Sequence, residues 1–124
     1  MNPLPENLLY PMESHEDLAR MAAQLHAEYA PADPFEEELV GQLIEASWYR
    51  RRYEKVRSRL YERKNQLTSG TNQMAATVDS IRRFQHEVAQ VKKRIASLRK
   101  TLRRYRAGEL SPPQGDCNDQ LLAA

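Results

Sequence analysis

A seven-residue repeat of apolar side chains constrains the fold of this chain more than any other feature of its sequence. The repeat begins at Leu39 and keeps one phase up to Tyr105. Its a positions hold Leu39, Ala46, Tyr53, Leu60, Leu67, Met74, Ile81, Val88, Ile95 and Leu102, and its d positions include Tyr49, Val56, Thr77, Phe84, Val91, Leu98 and Tyr105. Ala, Glu, Lys, Leu and Arg supply 59 of the 124 residues, which is typical of long helices. The repeat therefore predicts helices packed along one seam, as in a coiled coil.

A run of poor helix formers, TSGTNQ at residues 68–73, interrupts the repeat and leaves two architectures open. One is a continuous helix of about 70 residues, and the other is a hairpin that folds back at this run. In a parallel dimer of continuous helices the arginines at e and g positions would face each other, which opposes pairing. A hairpin instead brings the acidic residues 36–38 near the basic residues 99–106. We favour the hairpin, with facing residues whose numbers add to 144: Ala46 with Leu98, Tyr49 with Ile95, Tyr53 with Val91, Val56 with Val88 and Leu60 with Phe84.

Helix start and stop signals define the remaining elements. Ser14, followed by an acid at the third position, predicts an N-cap for a short amphipathic helix over 14–30. Asp33 predicts a second N-cap, with Pro34 at the first helical position and acids in the first turn. The predicted fold is therefore all-α: an extended lead-in at 1–13, a short helix at 14–30, an antiparallel coiled-coil hairpin at 33–107 with its turn near 68–73, and a flexible tail at 108–124.

Charge is distributed very unevenly along the chain, although the net charge is only +2. Residues 50–106 contain 18 Lys and Arg against four acids, whereas residues 1–49 contain one base against ten acids. Solvated faces normally mix both signs, so a middle section this basic points to an anionic partner. The acidic head is the competing source of negative charge.

Two basic triplets and a neighbouring tryptophan are the predicted binding residues. Arg50, Arg51 and Arg52 follow Trp48, and Lys92, Lys93 and Arg94 lie at the same axial level of the predicted hairpin. Guanidinium and ammonium groups contact phosphates, and an aromatic ring can stack on a base, so this combination predicts a nucleic-acid interface. In the alternative interpretation Tyr49 is a core residue, Trp48 flanks it or faces a partner, and the arginines form a solvated face.

The sequence contains no motif typical of an enzyme, a metal site or a cofactor site. His15, His26 and His86 lie on different predicted elements, and neither a paired cysteine nor a phosphate-binding glycine motif occurs. We therefore expect no catalytic residue, metal or cofactor. The single cysteine, Cys117, suits a reducing compartment. Because no stretch reads as a secretion signal or a membrane span, we expect a cytoplasmic protein.

The segment HEDLARMAAQLHAEYAPADPFEEELVGQLIEASWYRRRYEKV, residues 15–56, resembles a group of uncharacterised bacterial helical proteins. They share an acidic start, a short helix that ends near Tyr-x-Pro, then Glu-x-x-Leu-Val and an aromatic residue followed by arginines. Members are sometimes labelled transposase-like or likened to phage terminase small subunits. The resemblance implies a bacterial protein associated with a mobile element, and it carries over no catalytic residue.

Two functions from different classes follow from these observations. The first is a non-enzymatic interaction module whose basic coil contacts nucleic acid. The second is a structural coiled-coil adaptor that binds acidic protein surfaces, including its own head. Either one is expected to self-associate or to bind a helical protein, because a lone hairpin buries only one narrow seam. A further hypothesis concerns Leu122, Ala123 and Ala124, which resemble a C-terminal signal for bacterial unfoldase–proteases.

Overall fold

The computed structural model describes residues 13–111, which form three α-helices. Helix α1 spans His15–Tyr29, α2 spans Pro34–Gln66 and α3 spans Asn72–Arg106. The short α1 packs on α2, and the long α2 and α3 pack antiparallel along their length. The predicted all-α fold with a helical hairpin is thus confirmed, and the continuous helix is excluded. The predicted extended lead-in up to residue 12, the tail from residue 112 onward and the C-terminal Leu-Ala-Ala lie outside the described residues.

The helices begin where the capping residues predict. The Ser14 side chain accepts a hydrogen bond from the backbone N–H of Asp17 at 3.3 Å, and Asp33 accepts one from Glu36 at 2.8 Å. Each bond satisfies an N–H that has no partner within its helix. Helix α1 ends at Tyr29, and its C-cap Ala30 takes a left-handed conformation with φ 43° and donates its N–H to the His26 carbonyl. These caps set the length of α1.

The turn between α2 and α3 occupies residues 67–71, within one residue of the predicted start at Thr68. Gly70 has φ +83°, a conformation that costs residues with a Cβ about 1–2 kcal/mol. Thr71 then caps α3 by accepting the N–H of Met74 at 3.0 Å. The helix-breaking run therefore acts through one glycine and one N-cap, and its last two residues already belong to α3.

The core is thickest where α1 covers the hairpin. Ala22 is fully buried against Val40 and Ile44, and Leu43, Ala46 and Ile95 form the neighbouring cluster between the long helices. The predicted a positions of α3 from residue 81 onward, Ile81, Val88, Ile95 and Leu102, are all buried. On α2 no described residue beyond Arg52 is buried. The half of the hairpin near the turn is therefore a two-helix structure.

The register of the hairpin differs from the predicted one at its aromatic contacts. Leu98 packs on the cluster that contains Ala46, as predicted. Tyr53, however, packs against Phe84 with ring centroids 5.9 Å apart, whereas the predicted partner of Phe84 is Leu60. Phe35 meets Tyr105 at 4.6 Å. These ring pairs are displaced by one to two helical turns from the predicted layers, because large rings reach along the seam to one another.

Candidate nucleic-acid interface

Trp48 is a core residue rather than an exposed stacking surface. Its side chain is only 2% exposed and packs against Leu18 of α1. The indole Nε1 donates a hydrogen bond to Glu13 Oε1 at 3.3 Å. Since α1 covers the ring, a nucleic-acid base cannot stack on it in this structure, and the predicted role of Trp48 is corrected to a structural one.

Arg52 lies beside Trp48 and is also withdrawn from the surface. It is 5% exposed, and its Nε and Nη2 donate to the two carboxylate oxygens of Glu13 at 3.1 and 2.6 Å. The guanidinium also lies over the ring of Tyr49, 5.2 Å from its centroid. A bidentate pair of this kind neutralises the charge and fixes its direction. The Arg52 side chain therefore ties the start of the described chain to α2 and is not presented to a phosphate.

The other two arginines of this triplet are paired but remain partly exposed. Arg51 donates to Asp17 of α1 at 3.1 Å and lies over the Trp48 ring at 5.0 Å. Arg50 donates to Glu54, one turn further along α2, at 2.7 Å. The acidic head thus neutralises part of the basic middle.

The second predicted triplet is exposed, unlike the first, which is partly buried and paired with acids. Lys92, Lys93 and Arg94 are exposed on α3, and none of them forms an ion pair with a carboxylate of residues 13–111. They open a stretch, residues 92–106, that carries eight basic side chains and no acid. We call residues 92–106 the basic stretch. All of its charged side chains are positive.

Three cations of the basic stretch form hydrogen bonds or ion pairs with other residues. Arg99 donates to the Tyr29 hydroxyl at 2.7 Å, Arg106 to Glu36 at 2.8 Å, and Arg104 lies 3.7 Å from Glu109. Five others are exposed without an ion pair in the described part of the chain: Lys92, Lys93, Arg94, Lys100 and Arg103. The sequence prediction omitted Lys100 and Arg103, although the acid-free run of 15 residues was the signal for them.

A polar cluster fixes the end of the basic stretch against the start of α2. The Tyr105 hydroxyl donates to Asp33 Oδ2 at 2.5 Å, and Arg106 donates to Glu36 and to the Tyr29 carbonyl. The bond from Tyr105 and the backbone N–H of Glu36 lower the pKa of Asp33, and the same Tyr105–Asp33 bond raises the pKa of Tyr105. These bonds hold the end of α3, with its cations, in a fixed position against the start of α2.

Residues 13–111 form neither a metal-ligand cluster nor a helix suited to a bilayer. In this range no three His, Cys, Asp or Glu side chains come together as a metal site would require. Across the same residues, no helix combines the length and the apolar character needed to cross a bilayer.

Comparisons with known proteins identified no relative of this chain. Searches against protein families, curated proteins and solved structures gave no match to this chain. The resemblance of residues 15–56 to bacterial helical proteins therefore stays a prediction, and the site is interpreted from its own geometry.

Proposed function

We propose that this protein is a non-enzymatic helical module that contacts the phosphate backbone of nucleic acid through the basic stretch. The observation that carries the proposal is a row of four exposed cations on one face of α3: Lys92, Lys93, Lys100 and Arg103. They form no ion pair with a carboxylate of residues 13–111 and lie in a run that contains no acid. Solvated helix faces normally intersperse both signs, so a one-sign surface of this length implies an anionic partner. The mobile-element association remains an implication of the resemblance alone.

The dimensions of this row suit a polyphosphate chain. Lys92 and Arg103 are separated by 11 residues, roughly 17 Å of helix at about 1.5 Å per residue. Successive phosphates of one DNA strand are about 3.4 Å apart along the axis, so the row spans several of them. Contacts of this kind are independent of sequence, and we therefore expect binding without base preference.

Salt-dependent binding tests the proposal. Each neutralised phosphate releases counterions and contributes about −0.9 to the slope of log K against log[salt] for duplex DNA. With four cations on this face we expect a slope of about −3.6, measured by fluorescence anisotropy of a labelled duplex. A wild-type protein that binds neither duplex nor single strand at low salt overturns the proposal.

A matched pair of variants distinguishes binding by the basic stretch from a general effect of net charge on DNA affinity. Lys93→Glu with Lys100→Glu reverses two charges on the basic stretch. Arg63→Glu with Lys64→Glu makes the same change in charge near the turn, on residues that are also exposed. We expect the first variant to lose at least tenfold in affinity and the second to stay within about twofold. Equal losses would show that only net charge matters.

A structural adaptor is the second candidate, and the pairing of Arg51 and Arg52 with Asp17 and Glu13 favours it. These bonds show that the basic middle accepts carboxylates of protein origin. In this role the basic stretch binds an acidic helical protein or a second copy of the chain. Sedimentation of the two charge-reversal variants discriminates the candidates, since an adaptor changes its association state while DNA binding is absent from the start.

A further inference from the structure

An open groove of about 710 Å³ runs between α1 and the middle of α2, apart from the basic stretch. Met21 of α1 forms one wall. The polar lining comes from α2 and includes four cations and two hydroxyls, from Ser47, Arg50, Arg51, Lys55, Ser58 and Arg59. The groove is open to solvent along one side.

The charge of this groove is not balanced by the acids around it. Glu54 lies in the lining and pairs with Arg50, while Asp17 pairs with Arg51. Lys55 and Arg59 are exposed and form no ion pair with the described carboxylates. Two positive charges therefore remain in the lining after its carboxylate partners are counted. The hydroxyls of Ser47 and Ser58 add hydrogen-bond donors to the cations of the lining, and such donors suit anionic oxygens.

The groove and the basic stretch share one flank of the hairpin, but the unpaired cations of the groove lie on the face of α2 that points away from α3. An α-helix turns by about 100° per residue, so Ser47, Arg50 and Glu54 lie roughly 40–100° round α2 from Ala46, which faces α3. Lys55 and Arg59 lie further round, at roughly 180° and 220°. On α3, Lys92 and Arg103 lie roughly 60–80° round from Ile95 in the same rotational sense. In antiparallel helices the same sense means the same side. The Arg106–Glu36 bond, which joins residues from these flanks, agrees with this placement.

We propose that this groove binds phosphate groups of a nucleic-acid strand. The inference rests on the proposed function and extends it to a defined second contact on α2. Lys55 and Arg59 supply the free charge, and Ser47 and Ser58 donate hydrogen bonds to phosphate oxygens. Arg50 and Arg51, which remain partly exposed, complete the cationic lining. Glu54 opposes binding because its carboxylate lies in the same groove.

Charge reversal in the groove tests this second contact in the full-length chain. Lys55→Glu with Arg59→Glu is compared with Arg63→Glu with Lys64→Glu, which alters the same helix by the same charge. With a labelled single-stranded oligonucleotide, we expect the groove variant to bind about tenfold more weakly and to reduce the salt slope by about 1.4, from two contacts at roughly 0.7 each. The control variant should stay within twofold. Circular dichroism checks that both variants keep their helix content.

Removing the opposing carboxylate gives a test that a folding defect cannot imitate. Glu54→Gln keeps the size of the side chain and should tighten oligonucleotide binding by two- to threefold. If the groove variant behaves like its control while Lys93→Glu with Lys100→Glu still weakens binding, the groove is not a contact and the proposed function stands. If wild-type protein binds no oligonucleotide, both proposals fail together.

Discussion

Removal of the Glu13 carboxylate should unfold this protein more readily than any single surface change. In the Glu13→Ala variant the 5% exposed Arg52 guanidinium loses the bonds that its Nε and Nη2 donate to Glu13, and the buried Trp48 indole loses its acceptor. Truncating one partner of a buried ion pair costs about 3–5 kcal/mol because the remaining charge stays desolvated. Glu13 keeps 19% of its side-chain exposure, so water reaches one side of the pair. We therefore expect a loss near the lower limit, about 3 kcal/mol.

Urea unfolding followed by circular dichroism measures this loss, and the fluorescence of Trp48, the single tryptophan, reports on the same site. The emission should shift to the red if Glu13→Ala loosens the head. The control combines Glu13→Ala with Arg52→Met, which removes both charges and leaves an apolar side chain of similar length. Because buried pairs are often replaced by apolar groups at little cost, this double variant should recover most of the stability. A Glu13→Ala variant within 0.5 kcal/mol of wild type would refute the reasoning.

Three further substitutions test the α2–α3 turn, the C-cap of α1 and the hydrogen bond between Tyr105 and Asp33 at the end of α3. Gly70→Ala should destabilise the chain by about 1 kcal/mol, since Gly70 has φ +83°, and thermal unfolding against a Gly41→Ala control measures this. Ala30→Gly should stabilise it by about 0.5–1 kcal/mol, because Ala30 holds φ 43° at a helix C-terminus; a lower melting temperature would contradict this. Tyr105→Phe should destabilise at neutral pH by removing the bond to Asp33. The lowered pKa of Asp33 means that this contribution is present above its ordinary value of 3.8 and is lost as the pH falls through the folded-state value. Wild type and variant should therefore converge in acid urea titrations.

The local signals in the sequence predicted the helices well because capping and heptad packing act over short separations. Ser14 and Asp33 cap the helices they were expected to cap, and Ile81 and Ile95 are buried as their a positions require. The hairpin also followed from short-range information, since a glycine with positive φ and a threonine N-cap end one helix and begin the next.

The burial and ion pairs of the first basic triplet, Arg50–Arg52, could not be predicted from local sequence. Arg51 and Arg52 look solvated on a helical wheel, but their partners Asp17 and Glu13 are 34 and 39 residues away. Only the path of α1 across α2 decides that these acids meet these bases and that Trp48 is covered. On α3, by contrast, no helix of the described residues lies over Lys93, and this side chain is exposed as its outward heptad position predicts. Exposure was therefore predicted wrongly for Trp48 and Arg52, and correctly for Lys92, Lys93 and Arg94, whose role in binding stays a prediction.

The restricted reach of α1 divides the hairpin into two regions of different local stability. Beyond Arg52, α2 has no buried residue, and the apolar contacts there are made by two helices alone. Regions with few buried contacts open at lower free energy than the global unfolding transition, so backbone amides of residues 57–66 should exchange with deuterium faster than those of residues 39–48. The slow-exchanging region would include the part of the hairpin that carries Lys92 and Lys93. Changes in hairpin length near residue 70 should therefore leave the binding surface intact, which makes the turn a suitable position for a spectroscopic label or a fused domain.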